Sequence, residues 1–245
     1  MMEDLESKAK ELRKKVLDLA IETGESHLGG SFSEIELLIA LYNQILKKED
    51  KFILSKGHAY HPLYLILKEK GYNPKLSVHP DIDEKNGVYC TTGSLGHGFP
   101  IGTGMCLARK IENKPGKVYI LMGDGECQEG TTWESALIAS KNKLDNLCLI
   151  IDRNKLQALD EVDKILPLGN LSNKFKEFGF NVSEINGHSF DEILGALNYK
   201  SIGKPYAIIA NTIKGKGISY MENDPKWHTR LPNQKELKIA YKELK

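Results

Sequence analysis

Residues 122–130 read MGDGECQEG, and residues 150–157 read IIDRNKLQ. Asp124 sits between two glycines, and some thirty residues later comes Asn154. A carboxylate, an amide oxygen and a free backbone carbonyl are hard ligands, suited to Mg2+ with phosphate oxygens completing an octahedron. Each motif follows a short apolar run, KVYILM and NLCLIID, of the kind a buried strand shows. In an open parallel sheet ligands bind beyond the carboxyl ends of the strands, so neighbouring strands would deliver both side chains to one edge. Gly123 and Gly125 would let the backbone turn tightly and approach a ligand. A helix after Gly-Asp-Gly would aim its unpaired N–H groups at a phosphate. A Gly-Asp-Gly after a strand is also an ordinary turn, and on motif mechanics alone the two readings stand level.

The elements that must carry these residues are legible in outline. Leu5, Ala9, Leu12, Val16 and Leu19 mark one face of a helix ending near Gly24. ESHLGGSF reads as a glycine-containing loop, and Ser31 with Glu34 as a capping box opening the helix IELLIALYNQIL. A short strand at 52–54 and a helix through LYLILKEKG follow. Residues 71–98 are irregular, and a loop that long is uncommon unless functional. IGTGMCLARK suits a closely packed helix. From Lys117 strands and helices alternate: KVYILM; a helix with Trp133, Ala136, Leu137 and Ser140 on one face; NLCLIID; a helix over 173–178; GFNVSEI; a helix capped by Ser189 with Glu192; and PYAIIANT. That alternation predicts an α/β fold, a doubly wound parallel sheet with helices on both faces. Residues 1–245 read as a single domain, closing in a polar, helical tail from about 232.

Composition excludes several classes. The 245 residues carry 34 Lys and Arg against 33 Asp and Glu, a net charge of +1, so no basic field points to nucleic acid. The amino terminus MMEDLESKAK is acidic where a signal peptide would be basic and then apolar, and no apolar run approaches a membrane span. Cys90, Cys106, Cys127 and Cys148 are widely spaced and read as reduced, mostly buried thiols. A cytoplasmic protein is expected.

At this point the motifs carry a family. GDG followed by Asn resembles the thiamine diphosphate motif, and the surrounding segments resemble the amino-terminal, diphosphate-binding section of transketolase. SHLGGSFS, DKFILSKGHAYHPLY, VHPD, TTGSLGHG, TIKGKG and WHTRLP are similar to segments of that family, in its order, from about residue 10 to residue 232. The resemblance implies a thiamine diphosphate-binding fold of the diphosphate-binding type. It implies that Asp124, Asn154 and the carbonyl of Leu156 ligate Mg2+ or another divalent cation. Gly93, Leu95, Gly123, Gly125 and His58 would lie against the cofactor, with Lys214 near the diphosphate. His27, His58, His79 and His228 would line the channel to the reactive carbon, His228 also touching the cofactor. Glu129 stands where the family has a Glu joining a carboxylate network between subunits.

Ketol transfer makes the histidines sensible. A carbonyl is attacked, a C–C bond breaks, and hydroxyl protons are removed and returned, which suits imidazoles that titrate near neutrality. A loop histidine is usually solvated; His61 and His188 keep that reading, whereas His27, His58, His79 and His228 recur in family positions. Ser94 and His97 stand where the family commonly has Pro and Gln, in a loop expected to face cofactor or substrate. That departure bears on the substrate rather than the cofactor.

A complete transketolase has a second α/β domain, which binds the pyrimidine ring and supplies the Glu that activates it. Nothing in these 245 residues resembles it. The expectation is an amino-terminal subunit of a split transketolase, completing its site against a carboxyl-terminal subunit in an α2β2 heterotetramer. It would move a two-carbon ketol unit from a ketose phosphate to an aldose phosphate or related carbonyl acceptor, and would be inactive alone. The alternatives are a subunit of another thiamine diphosphate enzyme (like deoxyxylulose-phosphate synthase or the α chain of a 2-oxo acid dehydrogenase) and a non-catalytic binding subunit.

Overall fold

The computed structural model describes residues 2–245, with side chains from residue 4 onward. Helix α1 (Met2–Thr23) buries Leu5, Ala9, Leu12, Val16, Leu17 and Ala20. It stops at Gly24, whose φ of +72° lies in the left-handed region that commonly ends a helix. Helices α2 (Leu28–Ser33) and α3 (Ile35–Ala40) follow, the second running into a π-turn at Leu41–Ile45. The expected loop over ESHLGGSF is thus half helix, and the Ser31–Glu34 capping box does not form. Every residue of α2 and α3 is buried. Sinking Leu28, Phe32 and Ile35 contributes about 1.5–3 kcal/mol each, which overrides a local capping signal worth about 1 kcal/mol.

Among the described residues five strands form one sheet: β1 (Lys51–Leu54), β2 (Val118–Gly123), β3 (Leu147–Arg153), β4 (Asn181–Asn186) and β5 (Tyr206–Asn211). Their spatial order is β1-β2-β3-β5-β4 and every pairing is parallel. The central strands are near-continuous apolar runs, as a sheet covered on both faces requires. The edge strand β4 is only partly buried. Helices α5 (Gly98–Ile111), α6 (Gly130–Lys141) and α8 (Leu171–Glu177) share a core with one face of the sheet. On the other face lie α1, α2, α3, α4 (Tyr60–Glu69), α9 (Phe190–Leu197) and α10 (Gln234–Glu243). The chain steps from β1 out to β4 with α5, α6 and α8 on one side, then returns to β5 through α9 on the other. Right-handed crossovers dictate that change of face. A single helical turn, α7 (Val162–Ile165), lies in the connection after β3.

In α5 a Cβ at Gly102 would lie 2.4 Å from Ile120, so the close packing read from the small residues is real. In α6 the buried residues are Thr132, Ser135, Ala136 and Ala139, and Leu137 stays 60% exposed, contrary to the expected stripe. Small residues on the inner face give the helix its close approach to the core. The tail helix α10 forms, but it is docked: Ala240 and Leu244 are buried and the Tyr241 hydroxyl donates to Asp18 of α1 at 2.6 Å.

Candidate active site

Four strands end at one cleft of about 260 Å3. Strands β2 and β3 are neighbours, with Gly123 paired to Asp152, so Asp124 and Asn154 emerge side by side. Asp124 Oδ2 accepts from the Lys155 amide at 2.6 Å, and Oδ1 from the Gly125 amide at 2.9 Å. The Asn154 side-chain carbonyl accepts from the Leu156 amide at 3.1 Å. Beyond β5, the buried Lys214 donates to the carbonyls of Leu156 at 3.2 Å and Gln157 at 2.9 Å. Beyond β1 come Lys56 and His58, and the helical turn Pro225–His228 brings His228 to the same place.

The imidazoles of His27, His58 and His228 cluster, with ring centroids 5.1–5.6 Å apart, and His79 stands 6.4 Å from His27. His27 opens α2 from a left-handed backbone at φ 70°, unusual for a residue with a side chain. Burial, then the neighbouring His79 and Lys214, lowers the pKa of His27. Burial, then Lys56 and His228, holds His58 well below the usual imidazole range. Burial, then Lys214 and His27, puts His228 at about 3. These three rings are therefore neutral at physiological pH rather than poised near it.

Of the residues singled out in the sequence, His27, His58, His79, His228, Gly93, Leu95, Gly123, Asp124, Gly125, Asn154, Leu156 and Lys214 all line the cleft. Glu129 does not: it is exposed beside Gly96, at the start of α6. Ser94 and His97 are also exposed and turned away, the His97 ring lying 2.9 Å from the Leu95 carbonyl. Of loop 93–97 only Gly93 and Leu95 line the cleft. His61 and His188, by contrast, are not solvated. His61 is 2% exposed with its pKa lowered by burial to about 4, and His188 is engaged on both ring nitrogens.

Sequence reasoning missed the polar layer beneath the cleft. Lys56, 1% exposed, is ion-paired to Asp152 and, at 3.2 Å, to Glu34, and donates to the Gly30 carbonyl at 2.9 Å. Burial alone would lower the Lys56 pKa; the Asp152 and Glu34 carboxylates outweigh it and hold the ammonium charged. Asp152 also accepts from Ser33 at 2.5 Å, from Thr212, and from the Asn154 amide at 3.4 Å. With its NH2 group facing Asp152, Asn154 must turn its oxygen the other way. Glu126 accepts from Ser55 at 2.5 Å and from the Gly96 and Gly123 amides at 2.9 and 2.8 Å, tying three loops of the cleft together. The available signal was charge inside apolar text: a lysine directly after FILS and an aspartate closing LCLII.

The residues fit a magnesium diphosphate. Among the described residues no group of three or more His, Cys, Asp or Glu side chains could hold a metal. A set of one carboxylate, one amide and one carbonyl leaves coordination positions that phosphate oxygens suit. Burial, then repulsion from Asp152, pushes the Asp124 carboxyl up to about 7, a state that a nearby cation would reverse. Open space lies at Gly123, where a Cβ would meet nothing within 4 Å, whereas a Cβ at Gly30 would crowd the His58 ring at 3.2 Å and one at Gly93, with φ at +149°, His79 at 3.0 Å.

A wider depression of about 570 Å3 lies at the opposite, amino end of the sheet. Its Asp50 is occupied by the Lys47 and Lys117 amides and its Asp145 by Lys110 and the Gly203 amide. Those charges already serve the fold.

Residues 6–244 match the family described as transketolase, thiamine diphosphate binding domain. The chain is 38% identical to one of the apulose-4-phosphate transketolase subunits of Actinobacillus succinogenes, over 99% of this chain and 96% of that one. It is 38% identical to a 6-deoxy-6-sulfo-D-fructose transketolase subunit of Clostridium sp., over 98% and 96%. The transketolase structure from Campylobacter jejuni superposes with a TM-score of 0.88 at 29% identity, covering all of this chain and 43% of that one. The chain belongs to the transketolase family, as its thiamine diphosphate-binding section.

Proposed function

We propose that this chain is the diphosphate-binding subunit of a two-subunit transketolase, with residues 1–245 acting as one domain. The observation that carries the proposal is the meeting of Asp124, Asn154 and the Leu156 carbonyl at the ends of adjacent strands, under a cluster of neutral histidines. The similarity to subunits of matching length supports the split arrangement.

Asp124, Asn154 and the Leu156 carbonyl would hold Mg2+, and Lys214 would turn from the carbonyls it now touches toward the diphosphate. Gly123 and Gly125 let the backbone lie close to it. Bound thiamine diphosphate supplies a nucleophilic carbon and an electron sink for C–C cleavage. The residues of this chain do the rest. His27, His58 and His228, held neutral by burial, hydrogen-bond the hydroxyls of the sugar and its developing alkoxide. His79, at the open side, meets the incoming substrate. Exposed Glu129 stands free to join a carboxylate network with another subunit. The activating Glu would come from the partner, in an α2β2 assembly acting on sugar phosphates or related carbonyl compounds in the cytoplasm.

The test is the mass and subunit composition of the native complex, followed by assay of ketol transfer. The expected result is a stoichiometric second chain and activity only when both are present. A lone dimer of this chain without activity would favour a non-catalytic binding subunit.

A further inference from the structure

The turn carrying Lys214 is held at both ends by a buried device on the far side from the cleft. The amide of Ile213 donates to Nε2 of His188 at 2.9 Å. An amide can only donate, so Nε2 carries no proton, and the ring proton sits on Nδ1. Nδ1 in turn donates to Glu36 Oε2 at 3.0 Å. The other oxygen of Glu36 accepts from Arg13 at 2.6 Å, and Nε of Arg13 donates to the Lys216 carbonyl at 2.9 Å. One carboxylate from α3 therefore joins two side chains that grip residues 213 and 216, the positions flanking Lys214. Between them the Gly215 amide donates to the Gly29 carbonyl of α2 at 2.9 Å. Arg13 and Glu36 are 5% and 6% exposed, so water competes weakly for these bonds.

We propose that His188, fixed in its tautomer by Glu36 and Arg13, is a positioning residue for Lys214. It touches nothing in the cleft. It acts by denying the 213–216 turn any other register, so that the Lys214 ammonium reaches the diphosphate end of the site. The inference rests on the reading of the cleft as a diphosphate site, and the experiment separates the two.

In the full-length chain with whatever partner co-purifies, Mg2+–thiamine diphosphate affinity and amide hydrogen exchange at residues 213–216 are measured for wild type, H188L and H188Q. Gln keeps an acceptor near the position of Nε2, and Leu does not. The expected result is at least about tenfold weaker binding and faster exchange of the Ile213 and Gly215 amides in H188L, with both largely restored in H188Q. In a K214A background the same H188L change should weaken binding less than about threefold further, because its route runs through Lys214. Unchanged exchange in H188L, equal damage from Gln and Leu, or a full additional loss in K214A would overturn the proposal. If H188L does not fold, H188Q and K214A still decide it, since H188Q must keep near-native exchange and affinity. If wild type and D124A alike bind no cofactor, the functional reading falls, and the exchange data still judge the clamp.

Discussion

The two ends of one sheet differ in how they treat charge. At the amino ends of the strands the depression is wide, and its carboxylates cap backbone amides or meet surface lysines. At the carboxyl ends the cleft is less than half as large, yet it stands on a buried lysine, the buried Asp152 carboxylate, and three acids, Glu34, Glu126 and Asp124, whose burial makes ionisation costly. Burying a charge costs several kcal/mol before any partner is found. A chain keeps such groups where something other than stability requires them, and size of cavity is a poor guide to that place.

Four perturbations bear on this contrast. Removing divalent cations with a chelator should lower thiamine diphosphate affinity at least about a thousandfold, because one carboxylate cannot hold the diphosphate without an intervening ion. Calorimetry with and without Mg2+ reads this directly, and metal-independent binding would place the diphosphate elsewhere. Next, K56M removes the buried cation and strands Asp152 and Glu34, at a cost of about 3–5 kcal/mol in denaturant unfolding. A loss below about 1 kcal/mol would mean that the polar layer is better hydrated than its burial indicates. H228N should lower turnover by about a hundredfold while leaving cofactor affinity within a few-fold. The acid limb of its pH profile should not move: burial holds His228 near 3, so it carries no proton until well below the usual assay range. A larger effect on affinity than on turnover would put His228 against the cofactor alone. At the amino end, D50A should cost only about 1 kcal/mol, as a lost cap does, with no effect on cofactor binding.

Much of the carboxyl end was legible because its chemistry is local. Gly-Asp-Gly and the following Asn each close an apolar strand, and adjacency in sequence became adjacency in space through one crossover helix. The polar layer was hidden for the opposite reason. Lys56, Asp152 and Glu34 come from three separate elements, and no spacing along the chain links them. His188 was missed in the same way, since its partners Glu36 and Ile213 lie 152 and 25 residues away. In the fold, the parallel sheet was readable from periodicity, whereas α2 was not. Its glycines signal a loop, and only contact with Lys214, His58 and the Trp227 carbonyl, each within 3.2 Å of where a Cβ would stand, explains why glycine is used inside a helix. Leu137 shows the limit of helical stripes: small residues packed inward and left the larger side chain outside.

The proposed magnesium–diphosphate site at the carboxyl ends of β2 and β3 stands or falls on Asp124. Titrating thiamine diphosphate in Mg2+ into the native complex, wild type against D124A, tests it most directly. One cofactor should bind per chain in wild type and none detectably in D124A, with the fold retained in both. Equal binding by the two would contradict it.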